Sequence, residues 1–410
     1  MFKWLKDYAH FLYRCVLLSF RGDKRFYLWM TFLTVWALVG VNAYCKQLVY
    51  GLYTTGMNDY VSWGLYIANF TYLVGMAAAA VMLVIPVYAY KIKSLENSVI
   101  VGELFAIAAI VMCLLFVTVD LGRPDRFWHL IPGIGKFNWP VSMLSWDVVV
   151  LTIYLLLNLH ICGYSLYMRY LGRPLSKWIY LPFVFISMAW AISIHTVTAF
   201  LLAGLSGKPF WNSAILGPRF IASAFAAGPA FIILTLQVIR KVANYNVSEK
   251  ALMTIRSLIQ IAMLINVFLL GNEIFKEFYS ATLHVASIRY LFFGLEGHHK
   301  LVPWIWTAVI FNLVSLTLLI LPISRKIFWL NVACVLAVVG IWIEKGMGLI
   351  IPGFIPTPLG QIVEYTPTLN EILICIGIWA IGFLLYSVLL RLALPILKGE
   401  FHIEREPQKL

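Results

Sequence analysis

Ten apolar segments run through this sequence, and each is long enough to cross a lipid bilayer. A transmembrane helix needs about 20 predominantly apolar residues. Because lipid offers the backbone no hydrogen-bond partners, a crossing segment must pair its own amides, as an α-helix does. The sequence therefore predicts an all-α integral membrane protein with ten transmembrane helices, at 27–50, 61–90, 98–120, 143–168, 178–204, 219–240, 257–280, 303–324, 327–349 and 371–394.

The composition supports a membrane protein and argues against a soluble one. Hydrophobic residues make up 62% of the chain and charged residues only 12%, whereas a soluble domain carries roughly 25% charged residues. The net charge of +13 could suggest a nucleic-acid partner. The basic residues, however, lie in short clusters between the apolar segments, as topology signals do. We therefore expect contacts with lipid and no binding of nucleic acid.

The basic clusters also predict the orientation of the chain. They precede the first span and follow the second, fourth, sixth, eighth and tenth, so they share one side, which is cytoplasmic by the positive-inside rule. Both termini are then cytoplasmic. Residues 1–26 are predicted to be a basic amphipathic segment on the membrane surface, followed by the first helix, a four-helix bundle over 61–204, a second over 219–349, the tenth helix and a tail over 395–410.

The cysteines and histidines do not predict a metal or haem centre. None of the six cysteines forms a C-x-x-C pair, a spacing typical of local zinc and iron–sulfur ligands. A bis-histidine haem needs two histidines on facing helices at one depth, whereas His160 and His195 are predicted near opposite sides of the bilayer. We therefore expect no intrinsic haem or iron–sulfur cluster.

Polar residues of four consecutive spans are predicted to reach one depth in the outer third of the bilayer. Asp147 lies roughly 6–9 Å into the fourth span, and His195 roughly 12 Å below the outer end of the fifth, at 1.5 Å per residue. A carboxylate inside a span usually serves a proton or ligand path. The structural alternatives are a helix-end salt bridge from Asp120 to Arg123, a helix–helix hydrogen bond from Asn69 and a satisfied bundle histidine.

This set of side chains suits a membrane-soluble quinone. A carboxylate and an imidazole can exchange protons near neutral pH, aromatic faces can flank a ring, and amide and hydroxyl groups can bind its oxygens. We predict a pocket among the second to fifth spans that opens sideways to lipid. Its catalytic residues would be Asp147, His195 and Asp120, and its quinone-binding residues would be Trp63, Tyr66, Asn69, Arg123, Ser142 and Ser145.

A second group of charged residues lies in the other half of the chain. Glu273 and Glu277 share one face of the seventh span with Lys276, and Glu344 lies at a similar depth on the ninth. Ion pairs that hold the helices together are one interpretation. The other is a proton path, which could include Glu103 of the third span.

Several segments resemble the NrfD/PsrC family, the membrane subunits of polysulfide-reductase-like complexes. The similarity covers nearly the whole chain, and its ten spans are typical of the longer branch found in Hme- and Dsr-type complexes of sulfate reducers. The segments are WGLYIANFTYLVG, DLGRPDRFWHL, SMLSWD, EYTPT and the stretch from HTVTAFLLAG to RFIASAFAAG.

The resemblance implies a function in quinone-linked electron transport. Family members hold no redox centre of their own and bind menaquinone or ubiquinone near the outer face. Electrons pass between the quinone and an extracytoplasmic ferredoxin-like subunit with [4Fe–4S] clusters, beside other membrane and cytochrome subunits. Asp120 and Arg123 match the family's DLGRP motif, Asp147 its acidic residue in the fourth span, and His195 the histidine of its H-T-V segment.

The outer loops fit such a partner, although a second class of function stays open. They are rich in Gly, Pro and aromatic residues, which suits either a rigid docking surface or anchoring at the membrane interface. The leading hypothesis is a quinone-interacting subunit of a respiratory complex in the cell membrane, with proton translocation as an extension. The alternative is a secondary transporter or proton channel without a redox role.

Overall fold

The computed structural model describes residues 2–88, 90–92, 95–280, 282 and 285–402, and in these ranges the fold is built from helices. Fourteen α-helices follow one another along the described chain, in this order: α1 Phe2–Ser19, α2 Lys24–Tyr50, α3 Leu65–Ala77, α4 Val81–Tyr88, α5 Glu96–Asp120, α6 Met143–Tyr170, α7 Lys177–Ala203, α8 Leu216–Val242, α9 Glu249–Ser280, α10 Val285–Phe293, α11 Val302–Ile320, α12 Ile327–Lys345, α13 Met347–Ile350 and α14 Leu369–Leu397.

Ten segments of the described chain are long and apolar enough to cross a membrane. They are α2, α3 with α4, α5, α6, α7, α8, α9, α11, α12 with α13, and α14. The prediction of an all-α protein with ten transmembrane helices is therefore confirmed. The orientation of the termini stays a prediction, and "predicted outer end" below means the end where α5 finishes and α6 begins.

The second span departs from the continuous helix that its apolar sequence predicts. Helix α3 begins only at Leu65, and a 3-10 turn over Ala78–Ala80 separates it from α4. The residues before Leu65 are extended or bent, so helical spacing does not apply to Trp63. A further difference lies in the predicted outer loop 281–302, where the short helix α10 forms.

Helices α3 and α5 form the centre of the molecule. Every residue of α3 is buried, as is most of α5. Helix α5 packs against α3, α6 and α14, while α8 packs against α3, α9 and α12. Small residues on α5 and α8 let these helices approach closely, among them Gly102, Ala106, Ala109, Ala224 and Ala227.

Helices α2 and α14 flank this centre and pack along each other. They meet where two glycines face each other: a Cβ on Gly40 would lie 2.4 Å from the Cα of Gly377. No side chain fits at this crossing. The division into two four-helix bundles with flanking helices stays a prediction, and we use "first bundle" for α3–α7 and "second bundle" for α8–α12.

Helix α1 packs against α6 and near the last described residues, where Arg14 lies 4.7 Å from the centre of the Phe401 ring. Phe11 of α1 packs on the rings of Tyr167 and Tyr170, and Arg14 donates to the Tyr170 hydroxyl at 3.0 Å. The other face of α1 is exposed, as an amphipathic helix on a membrane surface would be, and the role of residues 1–26 stays a prediction. Helix α14 continues into the predicted tail as far as Leu397, and residues 403–410 of that tail lie outside the described residues.

Candidate functional site

Asp147 lies in the second turn of α6, buried against α7. Its Oδ1 accepts a hydrogen bond from Thr198 Oγ1 at 2.8 Å, while its Oδ2 has no hydrogen-bond partner among the described residues. One turn away on α7, His195 is also buried, and its Nδ1–H donates to the Ala191 carbonyl at 2.8 Å. This bond leaves Nε2 as the proton-accepting atom, and Nε2 likewise lacks a described partner. We call Asp147, His195 and Thr198 the Asp147 site.

A buried lysine of the second bundle lies against α3 of the first bundle. Lys345 Nζ donates to the Phe220 carbonyl at 3.2 Å and lies 4.1 Å from the centre of the Phe220 ring. A Cβ added at Gly75 of α3 would lie 2.9 Å from this Nζ, and the Lys345 carbonyl accepts from Thr71 Oγ1 of α3 at 3.3 Å. The last residue of α12 therefore reaches the helices of the first bundle.

The acidic residues of the second bundle surround an arginine. Arg219 of α8 pairs with Glu273 of α9 and, at 2.8 Å, with Glu344 of α12. The second oxygen of Glu344 accepts from Asn312 at 2.7 Å and from Asn266 at 3.4 Å. We call Arg219, Glu273 and Glu344 the Arg219 cluster. Its geometry joins two carboxylates to one guanidinium, and this contact offsets part of the cost of burying the ions.

Glu277 stands apart from the Arg219 cluster although it shares a helix with Glu273. It pairs with its neighbour Lys276 at 2.9 Å, with the lysine half exposed and the glutamate buried. Both glutamates on this face of α9, Glu273 and Glu277, thus form ion pairs, which supports the structural interpretation.

Tyr66 and Asp120 lie in a different cluster, between α2, α3 and α14. Tyr66 donates to Gln47 Oε1 at 2.7 Å, and Gln47 Nε2 donates to the Val119 carbonyl at 2.6 Å. Asp120 Oδ1 is buried without a described hydrogen-bond partner, within electrostatic range of Glu371. Glu371 accepts from the Leu65 amide at 3.1 Å. These contacts do not join Tyr66 or Asp120 to Asp147, because the groups in them belong to α2, α3, α5 and α14, whereas Asp147 lies on α6.

Asn69 faces away from the first bundle. Its Oδ1 accepts from the indole N–H of Trp342 at 3.1 Å and of Trp379 at 3.0 Å, and its Nδ2 donates to the Leu65 carbonyl. This is the helix–helix hydrogen bonding that the alternative interpretation predicted. Here α3 is held to α12 and α14.

Trp63 lines a cavity of about 450 Å³ at the predicted outer end. Its ring stacks on that of Trp211, with centres 5.6 Å apart, and meets Phe354 edge-on. Lys208 lies 4.5 Å from the centre of the Phe354 ring, and burial lowers the pKa of its ammonium. The cavity also touches Gly204, which follows α7. We call it the Trp63 cavity.

Arg123 does not pair with Asp120. It forms a two-bond ion pair with Asp125, at 3.0 Å for each bond, and both side chains are exposed. The hydrogen bond from Arg123 holds the pKa of Asp125 below its ordinary value. Asp125 is only two residues after Arg123, so the guanidinium pairs with this nearby carboxylate and not with Asp120. Arg123 lines a second cavity of about 550 Å³ with Gln47.

The two serines lie at the start of α6. Ser142 precedes the helix, and no capping hydrogen bond comes from its side chain. Ser145 is buried and donates to the Phe137 carbonyl, so its hydroxyl fixes the loop that enters α6.

Glu103 is buried on α5 of the first bundle, whereas the Arg219 cluster lies on α8, α9 and α12. It accepts a contact from the Cys162 thiol at 3.5 Å. Nearby, the hydroxyls of Tyr88 and Tyr180 are 2.6 Å apart, and both lie within electrostatic range of Glu103. These groups lie towards the predicted cytoplasmic end of α5 and α6.

Two buried cations, Arg219 and Lys345, were not singled out from the sequence. Both lie in apolar spans, and Arg219, which directly follows a Gly-Pro step, could have been paired with Glu273 and Glu344 by depth. Metal ligation gains no support: in the described part of the chain, no three His, Cys, Asp or Glu side chains are grouped as a metal site.

Three known proteins are similar to this chain over most of its length. The C subunit of the selenate reductase of Mesobacillus selenatarsenatis is 24% identical over 415 residues, covering 89% of this chain and 93% of that protein. The Hdr-like menaquinol oxidoreductase integral membrane subunit of Archaeoglobus fulgidus is 23% identical over 369 residues, covering 86% and 89%. A putative dimethyl sulfoxide reductase membrane subunit of Halobacterium salinarum is 26% identical over 405 residues, covering 88% and 90%.

These relatives share one feature by name, since each is a subunit of a reductase or oxidoreductase, and two of the three names specify a membrane subunit. The profile of a family described as "Polysulphide reductase, NrfD" matches residues 53–357, which is well over half of the chain. The resemblance seen in the sequence motifs is thereby confirmed. This multi-pass integral membrane protein belongs to the NrfD family.

Proposed function

We propose that the chain is the quinone-interacting membrane subunit of a respiratory redox complex in the cell membrane. It exchanges electrons between menaquinone and an extracytoplasmic iron–sulfur subunit. The relatives support this proposal: one is named as part of a menaquinol oxidoreductase, and all three are named as subunits. A transporter without redox partners gains no support from these names.

The observation that carries the proposal is the pair of unmet hydrogen-bond groups in the Asp147 site. Buried polar atoms are nearly always hydrogen-bonded, yet Asp147 Oδ2 and His195 Nε2 lack described partners. Both can accept or return a proton. Reduction of a quinone takes up two electrons and two protons, and its oxidation releases them, so a site for it needs such groups within hydrogen-bond reach.

The Trp63 cavity supplies a place for an aromatic ring. Its walls are the rings of Trp63, Trp211 and Phe354, and Lys208 offers a donor to a ring oxygen. It touches the residues that follow α7, and α7 carries both Thr198 and His195. We propose that the quinone ring enters at this cavity and meets its proton-exchanging groups at the Asp147 site.

The predicted outer end suits a docked partner. Exposed aromatic rings there include Tyr53, Phe127, Trp139 and Trp304, whereas Trp211 is fully buried and serves the cavity instead. Exposed rings beside a redox site favour an iron–sulfur subunit bound on this face.

The acidic residues of the spans divide into two kinds for a proton path. Glu273, Glu344 and Glu277 are engaged with cations, which favours a structural role for each. Glu103, with the thiol of Cys162 and the two tyrosine hydroxyls, is the better candidate for a path from the predicted cytoplasmic side to the Asp147 site.

The proposal is tested by the variant Asp147→Asn in the intact complex. The amide keeps the size of the side chain and its bond to Thr198 but cannot exchange a proton. We expect turnover of a water-soluble menaquinol analogue to fall by about 10²-fold or more, with the complex assembled as in the wild type.

The matched control is Glu249→Gln, which neutralises an exposed acid at the start of α9. It should leave turnover unchanged. Normal turnover in Asp147→Asn would exclude the carboxylate from proton exchange, and absence of any quinol-linked turnover in the wild-type complex would contradict the proposed function itself.

A further inference from the structure

The segment EYTPT, which precedes α14, lies against the start of α3. Tyr365 of this segment is buried, and its hydroxyl accepts from the Leu65 amide at 2.9 Å and donates to Glu371 Oε1. The same Oε1 accepts from the Leu65 amide at 3.1 Å. The ring of Tyr365 also lies close to Gly64, where an added Cβ would be 2.6 Å from it. The two side chains thus hold the residues at which α3 begins.

Glu371 binds α3 instead of the start of its own helix. Thr368 and Glu371 have the spacing of a capping box, in which the glutamate side chain would reach back to the Thr368 amide. Thr368 Oγ1 does accept from the Glu371 amide, at 3.2 Å. The carboxylate, however, accepts from Leu65 through Oε1 and from the Gly56 amide through Oε2, at 3.1 Å in each case. A fully buried acid of α14 therefore serves a different helix.

The start of α3 needs such partners from elsewhere in the chain. The first N–H groups of a helix have no partner within it, and the residue before α3, Gly64, has no side chain to cap them. A carboxylate is favoured at this end of a helix, because the helix dipole is positive there. Tyr365 and Glu371 supply the cap, and together they fix the residue at which α3 begins. We call these two residues the α3 clamp.

Trp63 lies two residues before Leu65, and its ring forms a wall of the Trp63 cavity. This ring stacks on that of Trp211, with the centres 5.6 Å apart. The indole of Trp211 is itself fixed, since its N–H donates to the Leu349 carbonyl at 2.8 Å. The stacking therefore depends on where the backbone before α3 places Trp63.

We propose that Tyr365 and Glu371 are positioning residues for the Trp63 cavity. By holding the start of α3, the α3 clamp holds the ring of Trp63 against Trp211 and so sets the space that an aromatic ring can enter. This inference rests on the proposed function and deepens it, because it makes binding of the quinone ring depend on two residues that do not line the cavity.

The test uses Tyr365→Phe, which keeps the ring but removes the hydroxyl that joins Leu65 to Glu371. Trp63 is followed by fluorine NMR of the purified complex labelled with fluorotryptophan, and its signal is assigned by its loss in Trp63→Phe. We expect this signal to move in Tyr365→Phe. The signal of Trp178, an exposed ring at the start of α7, should stay in place.

Turnover of a water-soluble menaquinol analogue gives a second measurement. Because the Asp147 site is left intact, we expect KM to rise by about 3- to 10-fold in Tyr365→Phe, the scale of one lost hydrogen bond, with kcat close to that of the wild type. A merely structural role would lower the amount of assembled complex and leave its KM unchanged. As a control, Lys300→Met removes an exposed contact to Thr366 of the same segment, at 3.0 Å, and should change neither the Trp63 signal nor KM.

Gly64→Ala disturbs the same contact while both residues of the α3 clamp remain, because the added methyl group would meet the Tyr365 ring. It should also move the Trp63 signal and raise KM, so it decides the question if Tyr365→Phe does not assemble. Its matched control is Gly217→Ala at the start of α8, where an added Cβ would meet no atom within 4 Å. This control should behave as the wild type.

The outcomes separate this inference from the proposed function. A Trp63 signal that stays in place in Tyr365→Phe would overturn the inference, as would an equal movement in Lys300→Met or Gly217→Ala. A moved signal with an unchanged KM would support the positioning of Trp63 and contradict the entry of the quinone at the Trp63 cavity. The NMR measurement needs no quinone turnover, so loss of the proposed function leaves its result intact.

Discussion

At the scale of single residues, Asn69 shows how a polar group in a span can be structural. Its one carbonyl oxygen accepts from two indole N–H groups, so a change to Leu would leave two partly buried donors without this partner. Such losses cost about 1–3 kcal/mol each. We expect Asn69→Leu to lower the melting temperature of the complex while quinol turnover per assembled complex stays close to that of the wild type.

A different result would support the role in quinone binding that the sequence predicted for Asn69. If turnover in Asn69→Leu fell as far as in Asp147→Asn, with an unchanged melting temperature, Asn69 would contact the quinone. Thermal melting and steady-state turnover of the same preparation measure both quantities.

The same residues show that the sequence predicts the depth of a side chain in the membrane but not the direction it faces. Depth along a span follows from counting at 1.5 Å per residue, and the levels of Asp147 and His195 were predicted in this way. The side of the helix that a residue faces depends on its neighbours. Trp63 precedes the first turn of α3, so the i, i+3, i+6 spacing from Trp63 to Asn69 does not place them on one face.

At the scale of helices, the crossing of α2 and α14 is the most restrictive contact. Cα atoms of Gly40 and Gly377 approach so closely that a Cβ at either position would lie 2.4–2.5 Å from the other residue. We expect Gly377→Leu to separate the two helices and lower the melting temperature of the complex, since overpacking costs about 1–3 kcal/mol or more.

Gly271 provides the matched control for this substitution. It also lies within a transmembrane helix, but an added Cβ would meet no atom within 4 Å. The complex with Gly271→Leu should therefore have the same melting temperature as the wild type. Equal losses in both variants would show that the crossing is not restrictive.

The ten spans were predictable because long apolar runs leave the backbone few choices in lipid. The break in the second span and helix α10 were not. At the first, the backbone of Ala80 lies close to Gly102 of α5, and at the second, Phe292 packs on Trp306. Both depend on tertiary contacts that apolar periodicity does not record.

At the scale of the whole molecule, buried polar groups of the spans form two separate sets, the Asp147 site and the Arg219 cluster. The sequence singled out Asp147 and His195 of one set and Glu273 and Glu344 of the other, but neither Thr198 nor Arg219. Their separation into the Asp147 site and the Arg219 cluster follows from Arg219, whose two carboxylate partners come from different helices. Proton exchange is then assigned to the site whose acid has no cation bonded to it.

The most direct measurement of this account is photoaffinity labelling of the intact complex with a menaquinone analogue, followed by mapping of the labelled peptides. Unlabelled quinone should compete with the label. We predict labelled residues around Trp63 and the ends of α6 and α7 near Asp147 and His195. Competed labelling confined to the face of α9 with Glu273 and Glu277, or to the cavity beside Gln47 and Arg123, would contradict the assignment of the quinone site.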